Sequence, residues 1–372
     1  MTGRERVLTS INHTEPDRVP IDLGGWQSGI SYKTYEIVKE ILGIRKPIKI
    51  EEKCQGLGQI DEEFLEKYDI DTRYIFPQAP PKDNPFEMKE DEFIDEWGIT
   101  WTRPESSFYY DMKNFPLHDI ESIDALENNF WPDPKNILGK EELIATCDVY
   151  ECKRKAIFTS LAGCFEQATY VRGMQDFYMD AYINPEYFSG VMDKVLEVLL
   201  ARYTLFFDAI GTYLDVVEFW GDLGTQLAPL ISPKLYRSVI KPREKQLVDL
   251  VKSKTNAKVA LHTCGASSAF IPDIIDVGYD VLNPIQITAA GMDPAELKKD
   301  FGKEITFWGA IDTQQLLPFG SVQNVKDEVK RIIDILAPGG GFILAPVHNI
   351  QAFTPPENVI ALFETAMEYG KN

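Results

Sequence analysis

Short apolar runs recur along the chain, and each is followed by a polar or glycine-rich turn and then by a segment with helical periodicity. β-Branched and aromatic residues predominate in these runs, which predicts strands rather than helices. Eight such runs lie at 18–23, 72–76, 156–161, 214–219, 258–262, 280–284, 305–309 and 342–347. Because they are mostly apolar instead of alternating, they predict parallel strands that are covered on both faces.

Eight parallel strands that alternate with helices predict a (β/α)8 TIM barrel, an α/β fold that takes about 250 residues. The chain has 372 residues, so roughly 120 are left for other elements. The alternative architecture is an open doubly wound sheet. We expect one domain over residues 1–372, because no linker and no short repeat divides the chain.

Many of the residues beyond those of a minimal barrel fall in one region of the chain. Residues 77–134 show little helical periodicity and contain the stretch DEWGITWT at 95–102. This stretch predicts a β-hairpin that turns near Gly98. We therefore expect an inserted hairpin region, an excursion from the barrel that covers one of its mouths.

Three helix starts carry capping signals. Asn184 stands before Pro185 and the long apolar stretch at 191–209, and Ser232 also precedes a proline. Thr354 begins the segment TPPE, which predicts a capping box.

The composition indicates a globular chain with an acidic excess. Hydrophobic residues make up 44%, enough for a large core, which argues against wholesale disorder. The 38 Lys and Arg against 58 Asp and Glu give a net charge of −20. Such a charge repels phosphate backbones and anionic membranes, so we expect neither nucleic acid nor a membrane as a partner.

The N-terminal residues predict a polar helix without the apolar core of a signal peptide. No apolar run approaches the roughly 18 residues that a membrane span needs. The five cysteines are odd in number and irregularly spaced, which predicts reduced thiols. We therefore expect a cytoplasmic protein.

Polar side chains stand where several of the predicted strands end. In chain order, from the fourth strand onward, they are Glu218, His262 with Cys264, Asn283, Asp312 and His348. The carboxyl ends of barrel strands meet at one mouth, where the active sites of this fold lie. These side chains are therefore candidates for a single site.

The sharpest local pattern is His262-Thr-Cys264-Gly. Residues two apart in a strand point to the same face, roughly 6.5 to 7 Å apart, so an imidazole and a thiolate can bind one metal ion. Catalytic zinc takes three protein ligands and keeps one position open. His348 is the candidate third ligand, and Glu218 is a candidate third or fourth. A buried structural His/Cys pair is the alternative.

Other patterns are weaker. The segment PGGG at 338–341 predicts a turn, and the chain has no dinucleotide-binding glycine fingerprint. Asp222 and Gln226 follow the fourth strand, where they are candidates to orient a metal ligand, to bind substrate or to cap a helix. Three tryptophans beside strand ends are candidates for a substrate-binding wall, with core packing as the alternative: Trp26, Trp220 and Trp308.

Several motifs match those of a known family in order and spacing. They are Arg4-x-x-Val7-Leu8, PDRVP at 16–20, LHTCG at 261–265, FWG at 307–309 and TPPEN at 354–358. Over nearly the whole chain they resemble the uroporphyrinogen decarboxylase superfamily. This resemblance implies a (β/α)8 barrel and one of two activities: decarboxylation in tetrapyrrole synthesis, or zinc-dependent methyl transfer between a corrinoid protein and a thiol or folate.

The resemblance favours the methyltransferase branch. The decarboxylases carry an arginine-rich MRQAGRY-like segment that binds substrate carboxylates, whereas the stretch IDLGGWQSG at 21–29 has no arginine. The methyltransferases carry His-x-Cys on the fifth strand, matched here by His262 and Cys264. Their third zinc ligand is usually a cysteine in an APGC-like segment, and this chain has APVH with His348 at that position. Histidine also binds zinc.

The resemblance thus implies a zinc enzyme that passes a methyl group between a small methylated substrate, or a thiol or folate acceptor, and a corrinoid on a partner protein. The alternatives are a decarboxylase with Asp312 or Asp222 as general acid, and a noncatalytic ligand-binding barrel. The candidate catalytic residues are Glu218 and Asp312. The candidate substrate-binding residues are Trp26, Asp222, Gln226, Asn283 and Trp308.

Overall fold

The computed structural model describes residues 1–78, 92–105 and 107–371. The strands in these ranges are β1 (Ile30–Ser31), β2 (Ile50–Glu52), β3 (Leu57–Gly58), β4 (Thr72–Tyr74), β5 (Glu92–Ile94), β6 (Thr100–Thr102), β7 (Asp111–Asn114), β8 (Ala156–Ala162), β9 (Val216–Trp220), β10 (Lys258–His262), β11 (Val281–Asn283), β12 (Thr306–Ile311) and β13 (Phe342–Pro346).

The helices in the same ranges are α1 (Gly3–Ile11), α2 (Tyr32–Leu42), α3 (Glu62–Lys67), α4 (Ile123–Glu127), α5 (Lys140–Cys152), α6 (Cys164–Arg172), α7 (Met174–Ile183), α8 (Pro185–Ile210), α9 (Pro233–Leu235), α10 (Lys241–Lys254), α11 (Ile271–Val277), α12 (Pro294–Phe301), α13 (Leu316–Phe319), α14 (Val322–Leu336) and α15 (Pro356–Tyr369). Across the described ranges, none of them combines the length and the apolar character that crossing a membrane requires.

Seven parallel strands form one curved sheet in the order β13-β12-β11-β10-β9-β8-β4. Neighbours in the sheet follow one another in the chain, with helices between them, as right-handed β-α-β units require. A doubly wound sheet would reverse its strand order at one point, and this sheet does not. The prediction of an α/β TIM-barrel fold is therefore confirmed. That residues 1–372 form one domain stays a prediction.

The first predicted strand, at 18–23, differs from the prediction because it forms one parallel bridge, from Ile21 to Leu344, instead of a ladder. Its backbone still contacts both edges of the sheet: the Leu344 N–H donates to the Pro20 carbonyl, and the Asp71 N–H donates to the Ile21 carbonyl. Pro20 has no N–H, and the Ile21 N–H donates to the Asp71 carboxylate. The extended segment therefore closes the ring between β13 and β4 without regular pairing.

Alternate positions of the strands point into the barrel. Small and apolar side chains fill this interior, among them Phe158, Val216, Ala260, Val281 and Ile343. Strands β9 and β10 are paired so that Glu218 stands beside Ala260 and Trp220 beside His262. Since side chains inside a barrel stack in layers, Glu218 lies one layer beneath His262.

The predicted hairpin is present. Strands β5 and β6 pair antiparallel, with Phe93 opposite Trp101, and Gly98 in the turn has a φ of 84°. Strand β7 adds a third strand to this sheet, which the sequence pattern did not predict. Residues 79–91 of the predicted excursion lie outside the described residues.

A second small sheet, β1-β3-β2, was also not predicted. Its strands have two or three residues each, too few to show an alternating pattern.

Two of the three predicted helix caps are present in the structure, and the third is absent. Asn184 and Ser232 each accept a backbone N–H from three residues later, at the starts of α8 and α9. Thr354 forms no capping box, because Pro355 occupies the cap position of α15 and its side chain has no acceptor.

A buried ion cluster connects α1, the closing segment and the start of β4. The carboxylate of Asp71, which is fully buried, lies 2.5 Å from Arg6 Nη1 and 2.8 Å from Arg18 Nη1. Both arginines are also almost fully buried. A buried charge is stabilised only while its partners are present, so this cluster holds the closing segment in place.

We expect Asp71→Ala to lower the free energy of unfolding by about 3 kcal/mol, because it leaves two buried guanidinium groups without this partner. Denaturant-induced unfolding measures the change. As a control, Asp249→Ala removes an exposed ion pair with Lys245 and should cost less than about 1 kcal/mol. An equal, small effect of both substitutions would show that the Asp71 cluster does not stabilise the barrel.

Candidate metal centre

A cavity of about 750 Å³ opens at the carboxyl ends of the barrel strands. The ends of β8, β9 and β10 line it, together with residues 51–55, which include the end of β2 and the turn after it. The β5-β6-β7 sheet contributes Phe93, Trp101 and Met112. The described part of the 77–134 excursion therefore forms part of the wall of this cavity.

Three predicted metal ligands meet at the cavity. His262 ends β10, Cys264 follows two residues later, and His348 stands two residues after β13. Their ligand atoms all lie within 4.8 Å of one another, and Cys264 Sγ is 3.4 Å from His262 Nε2. Glu218 is not part of this group. The structure thus brings together two residues at or just after the end of the central strand β10 and one that follows the edge strand β13.

The geometry of the three side chains suits zinc. Tetrahedral zinc, with Zn–S near 2.3 Å and Zn–N near 2.0 Å, separates a sulfur from a nitrogen ligand by roughly 3.5 Å. The distance between Cys264 Sγ and His262 Nε2 is close to that value. Asn283 Oδ1 lies 2.5 Å from His262 Nδ1. Because the amide oxygen can only accept a hydrogen bond, Nδ1 carries the proton, so Nε2 keeps a free lone pair and faces the sulfur.

Burial sets the protonation of the group. It lowers the pKa of His262 to about 4 and also lowers the pKa of His348, so both rings are neutral near pH 7. Neutral imidazole is the form that binds a metal. Burial and the nearby Asp222 raise the pKa of the Cys264 thiol. A bound cation would reverse this last effect, since a coordinating thiol loses its proton.

A pair of buried carboxyl groups lies behind Cys264. Asp222 Oδ1 accepts the Cys264 N–H at 2.7 Å, and the Asp222 N–H donates to Glu166 Oε2 at 3.2 Å. The Tyr170 hydroxyl donates to the other oxygen of Glu166 at 2.5 Å. Burial raises the pKa of both carboxyl groups, and repulsion by Asp222 helps to raise that of Glu166 to about 8.

The sequence analysis missed Glu166 and Tyr170. Glu166 stands in the first turn of α6, four residues after the end of β8. Its place after the third predicted strand is the signal that points to Glu166, just as the strand ends point to Glu218 and His262.

Glu218 lies beneath the cavity and is linked to it by a hydroxyl. Its side chain is 1% exposed, and Oε1 has no hydrogen-bond partner among the described residues. Ser160 Oγ lies 2.5 Å from Glu218 Oε2 and 2.7 Å from Gln27 Oε1. Burial and repulsion by Asp22 raise the pKa of Glu218 to about 8. A protonated Glu218 can therefore donate to Ser160, which donates to Gln27.

Three of the predicted cavity residues are in place. Trp26, Trp220 and Asp222 all line the cavity. Asn283 is close by, but it contacts the ring of His262.

Three other predicted site residues lie elsewhere. Asp312 accepts the backbone N–H groups of residues 314, 315 and 316, which caps the turn into α13. Trp308 is fully buried in the barrel interior and donates to Asp22 at 3.1 Å. Gln226 is exposed, and its amide bonds Gln286 and the Thr288 carbonyl. None of the three lines the cavity.

Residues 116–369 match the family model for uroporphyrinogen decarboxylase (URO-D). The chain belongs to the uroporphyrinogen decarboxylase family. This confirms the resemblance inferred from the motifs.

Curated relatives include enzymes of two kinds. A methylcobamide:CoM methyltransferase, MtaA of Methanosarcina barkeri, is 30% identical over 140 residues, 38% of each chain. A uroporphyrinogen decarboxylase of Synechocystis sp. is 26% identical over 191 residues, 50% of each chain. The matches span half or less of the relatives' length.

The same fold occurs in a solved structure. A methyltransferase from Methanosarcina mazei superposes with a TM-score of 0.66 over 99% of both chains, at 18% sequence identity. At this level of sequence identity, the similarity shows a shared fold and nothing about function.

We expect Asn283→Ala to weaken zinc binding about 10- to 100-fold, because His262 loses the acceptor that orients its ring. Asn283→Asp is the matched control: it keeps an oxygen acceptor at the same position and should bind zinc nearly as tightly as the native protein. Competition with a chromophoric chelator measures both affinities. Equal zinc affinity in Asn283→Ala and the native protein would exclude this role of Asn283.

Proposed function

We propose that the protein is a zinc-dependent methyltransferase. It moves a methyl group between a small methylated substrate, or a thiol or folate acceptor, and a corrinoid carried by a separate protein. The group of His262, Cys264 and His348 beside an open cavity is the observation that carries this proposal. The methyltransferases among the relatives support it.

The three ligands define what the centre would do. His262 and His348 offer neutral nitrogens and Cys264 offers a sulfur, which leaves one coordination position free. Zinc bound there supplies a Lewis acid that lowers the pKa of a thiol acceptor toward neutrality. Asn283 orients His262, and Asp222 holds the backbone of Cys264.

The transfer itself is a nucleophilic displacement at the methyl carbon, in which one bond breaks as another forms. The methyl group leaves its donor without the bonding electron pair, which stays on the donor atom. The accepting sulfur, or the cobalt of the partner's corrinoid, supplies the pair for the new bond. Ser160 and Glu218 form a proton path from the cavity into the barrel, and a pKa of about 8 suits a group that takes and returns a proton.

A decarboxylase is less well supported. Among the described lining residues, Lys53 and Arg202 are the basic side chains, and Arg202 already binds both oxygens of Glu96 at 2.6 and 2.9 Å. A substrate with several carboxylates would lack cations to hold it. Of the two proposed acids, Asp222 lines the cavity and Asp312 does not. A noncatalytic barrel would leave the metal-binding group beside the cavity without a role.

Zinc content tests the metal centre. We expect about one zinc per chain in protein purified without added metal, and almost none in Cys264→Ala, because two histidines alone bind zinc weakly. Cys152→Ala is the control, since this cysteine is exposed and outside the site. Elemental mass spectrometry measures all three. A native protein without zinc, or full zinc in Cys264→Ala, would refute the proposal.

Methyl transfer tests the reaction. With methylcobalamin as the corrinoid and 2-mercaptoethanol as the acceptor thiol, we expect the visible spectrum to report loss of the cobalt-bound methyl group. A chelator should abolish this activity and added zinc should restore it, whereas Cys264→Ala should lose at least about tenfold. Transfer that persists in chelator would contradict a zinc-dependent reaction.

A further inference from the structure

Four aromatic side chains form a continuous row along the cavity wall: Trp26, Trp220, Tyr170 and Trp101. The centroids of successive rings in this aromatic row are 6.4 Å apart. Trp220 is paired in register with His262 on the neighbouring strand. The aromatic row therefore passes directly beside the metal-binding group.

Carboxylates stand behind two rings of the aromatic row. The hydroxyl of Tyr170 donates to Glu166 at 2.5 Å, and the indole N–H of Trp101 donates to Asp95 at 2.8 Å. A ring that donates to a carboxylate gains electron density on its face. The face of such a ring attracts a cation more strongly.

The cavity as a whole is acidic. Six carboxyl groups line it: Glu51, Glu52, Asp95, Glu96, Glu166 and Asp222. Against them stand two basic side chains among the described lining residues, Lys53 and Arg202. Arg202 is paired with Glu96. Burial raises the pKa of Glu51, Glu52, Asp95 and Glu166, because their charged forms are costly without a cation nearby. The wall therefore favours a cationic ligand over an anionic one.

One lysine side chain of the protein already contacts aromatic rings near this wall. The ammonium group of Lys53 is 4.3 Å from the ring centroid of Phe93 and 5.8 Å from that of Tyr110. These distances are within the range of cation–π attraction. The neighbouring aromatic row offers the same kind of surface next to the metal-binding group.

Two polar atoms of the aromatic row are unsatisfied. The indole N–H groups of Trp26 and Trp220 are buried and have no hydrogen-bond partner among the described residues. Buried donors are normally paired. A ligand that carries an oxygen acceptor would satisfy one of them.

We propose that the small methylated substrate of this cavity is a methylated ammonium compound that also carries an oxygen acceptor. This inference rests on the proposed function, since it names the substrate of the same site. The positive charge of such a group is spread over its methyl groups, which contact aromatic faces well. When one methyl group leaves, the nitrogen keeps the electron pair and becomes a neutral amine. The reduced cobalt of the partner's corrinoid supplies the pair for the new bond.

Choline and 3,3-dimethylbutan-1-ol test the charge requirement, because they share shape and hydroxyl group and differ in the central atom and its charge. We expect zinc-loaded protein to bind choline at least about tenfold more tightly, measured by calorimetry and by quenching of tryptophan fluorescence. Equal affinities, tighter binding of the neutral alcohol, or no saturable binding of choline would overturn the inference.

Variants at Tyr170 test the aromatic row. We expect Tyr170→Leu to lose about tenfold in choline affinity and Tyr170→Phe, which keeps the ring, to lose much less. Tyr182→Leu is the control for removal of an aromatic ring, because Tyr182 is 76% exposed on α7 and does not line the cavity. Unchanged choline affinity in Tyr170→Leu would remove the aromatic row from the binding site.

Zinc analysis of the same samples separates the two proposals. A protein that contains zinc but shows no preference for choline would refute this inference and leave the proposed function intact. A protein that prefers choline but contains no zinc would refute the proposed function.

Discussion

Closure of the barrel between β13 and β4 is the constraint on which the site depends. His348 follows β13, whereas His262 ends β10 and Cys264 follows it, and two strands lie between β13 and β10 in the sheet. Their ligand atoms meet only because the sheet curves and the segment at 18–23 joins its two edges. Asn349 reinforces this closure: its amide donates to the Trp26 carbonyl and accepts the Gly29 N–H, which fixes the chain beside His348 to the residues that follow the closing segment.

In the closed barrel, burial determines the protonation states of the side chains at the site. The same exclusion of water keeps His262 neutral, holds a proton on the Cys264 thiol and raises the pKa of Glu218. A divalent metal bound by His262, Cys264 and His348 would stabilise the neutral imidazoles and the thiolate together. The acidic and aromatic side chains of the cavity wall also favour a positive charge, as the metal-binding group does.

The sequence predicted the barrel and the convergence of His262, Cys264 and His348, because apolar strand runs and strand-end positions determine both. The sequence did not predict which side chains near the strand ends face the cavity and which do not. Trp308 stands near a strand end, but its side chain points into the barrel interior, where it packs against Phe158. Asp312 lies past a strand end, where free backbone N–H groups bind its carboxylate. The closing segment lacks a ladder because Pro20 has no N–H and the Ile21 N–H donates to Asp71. The proline is visible in the sequence, whereas the bond to Asp71 follows from no local pattern.

X-ray absorption at the zinc edge of the purified protein tests the metal centre most directly. The account predicts one sulfur neighbour near 2.3 Å and two imidazole nitrogens near 2.0 to 2.1 Å. The remaining position would hold a light atom. A spectrum without a sulfur neighbour, or with two or more, would contradict the assignment of His262, Cys264 and His348 as the zinc ligands.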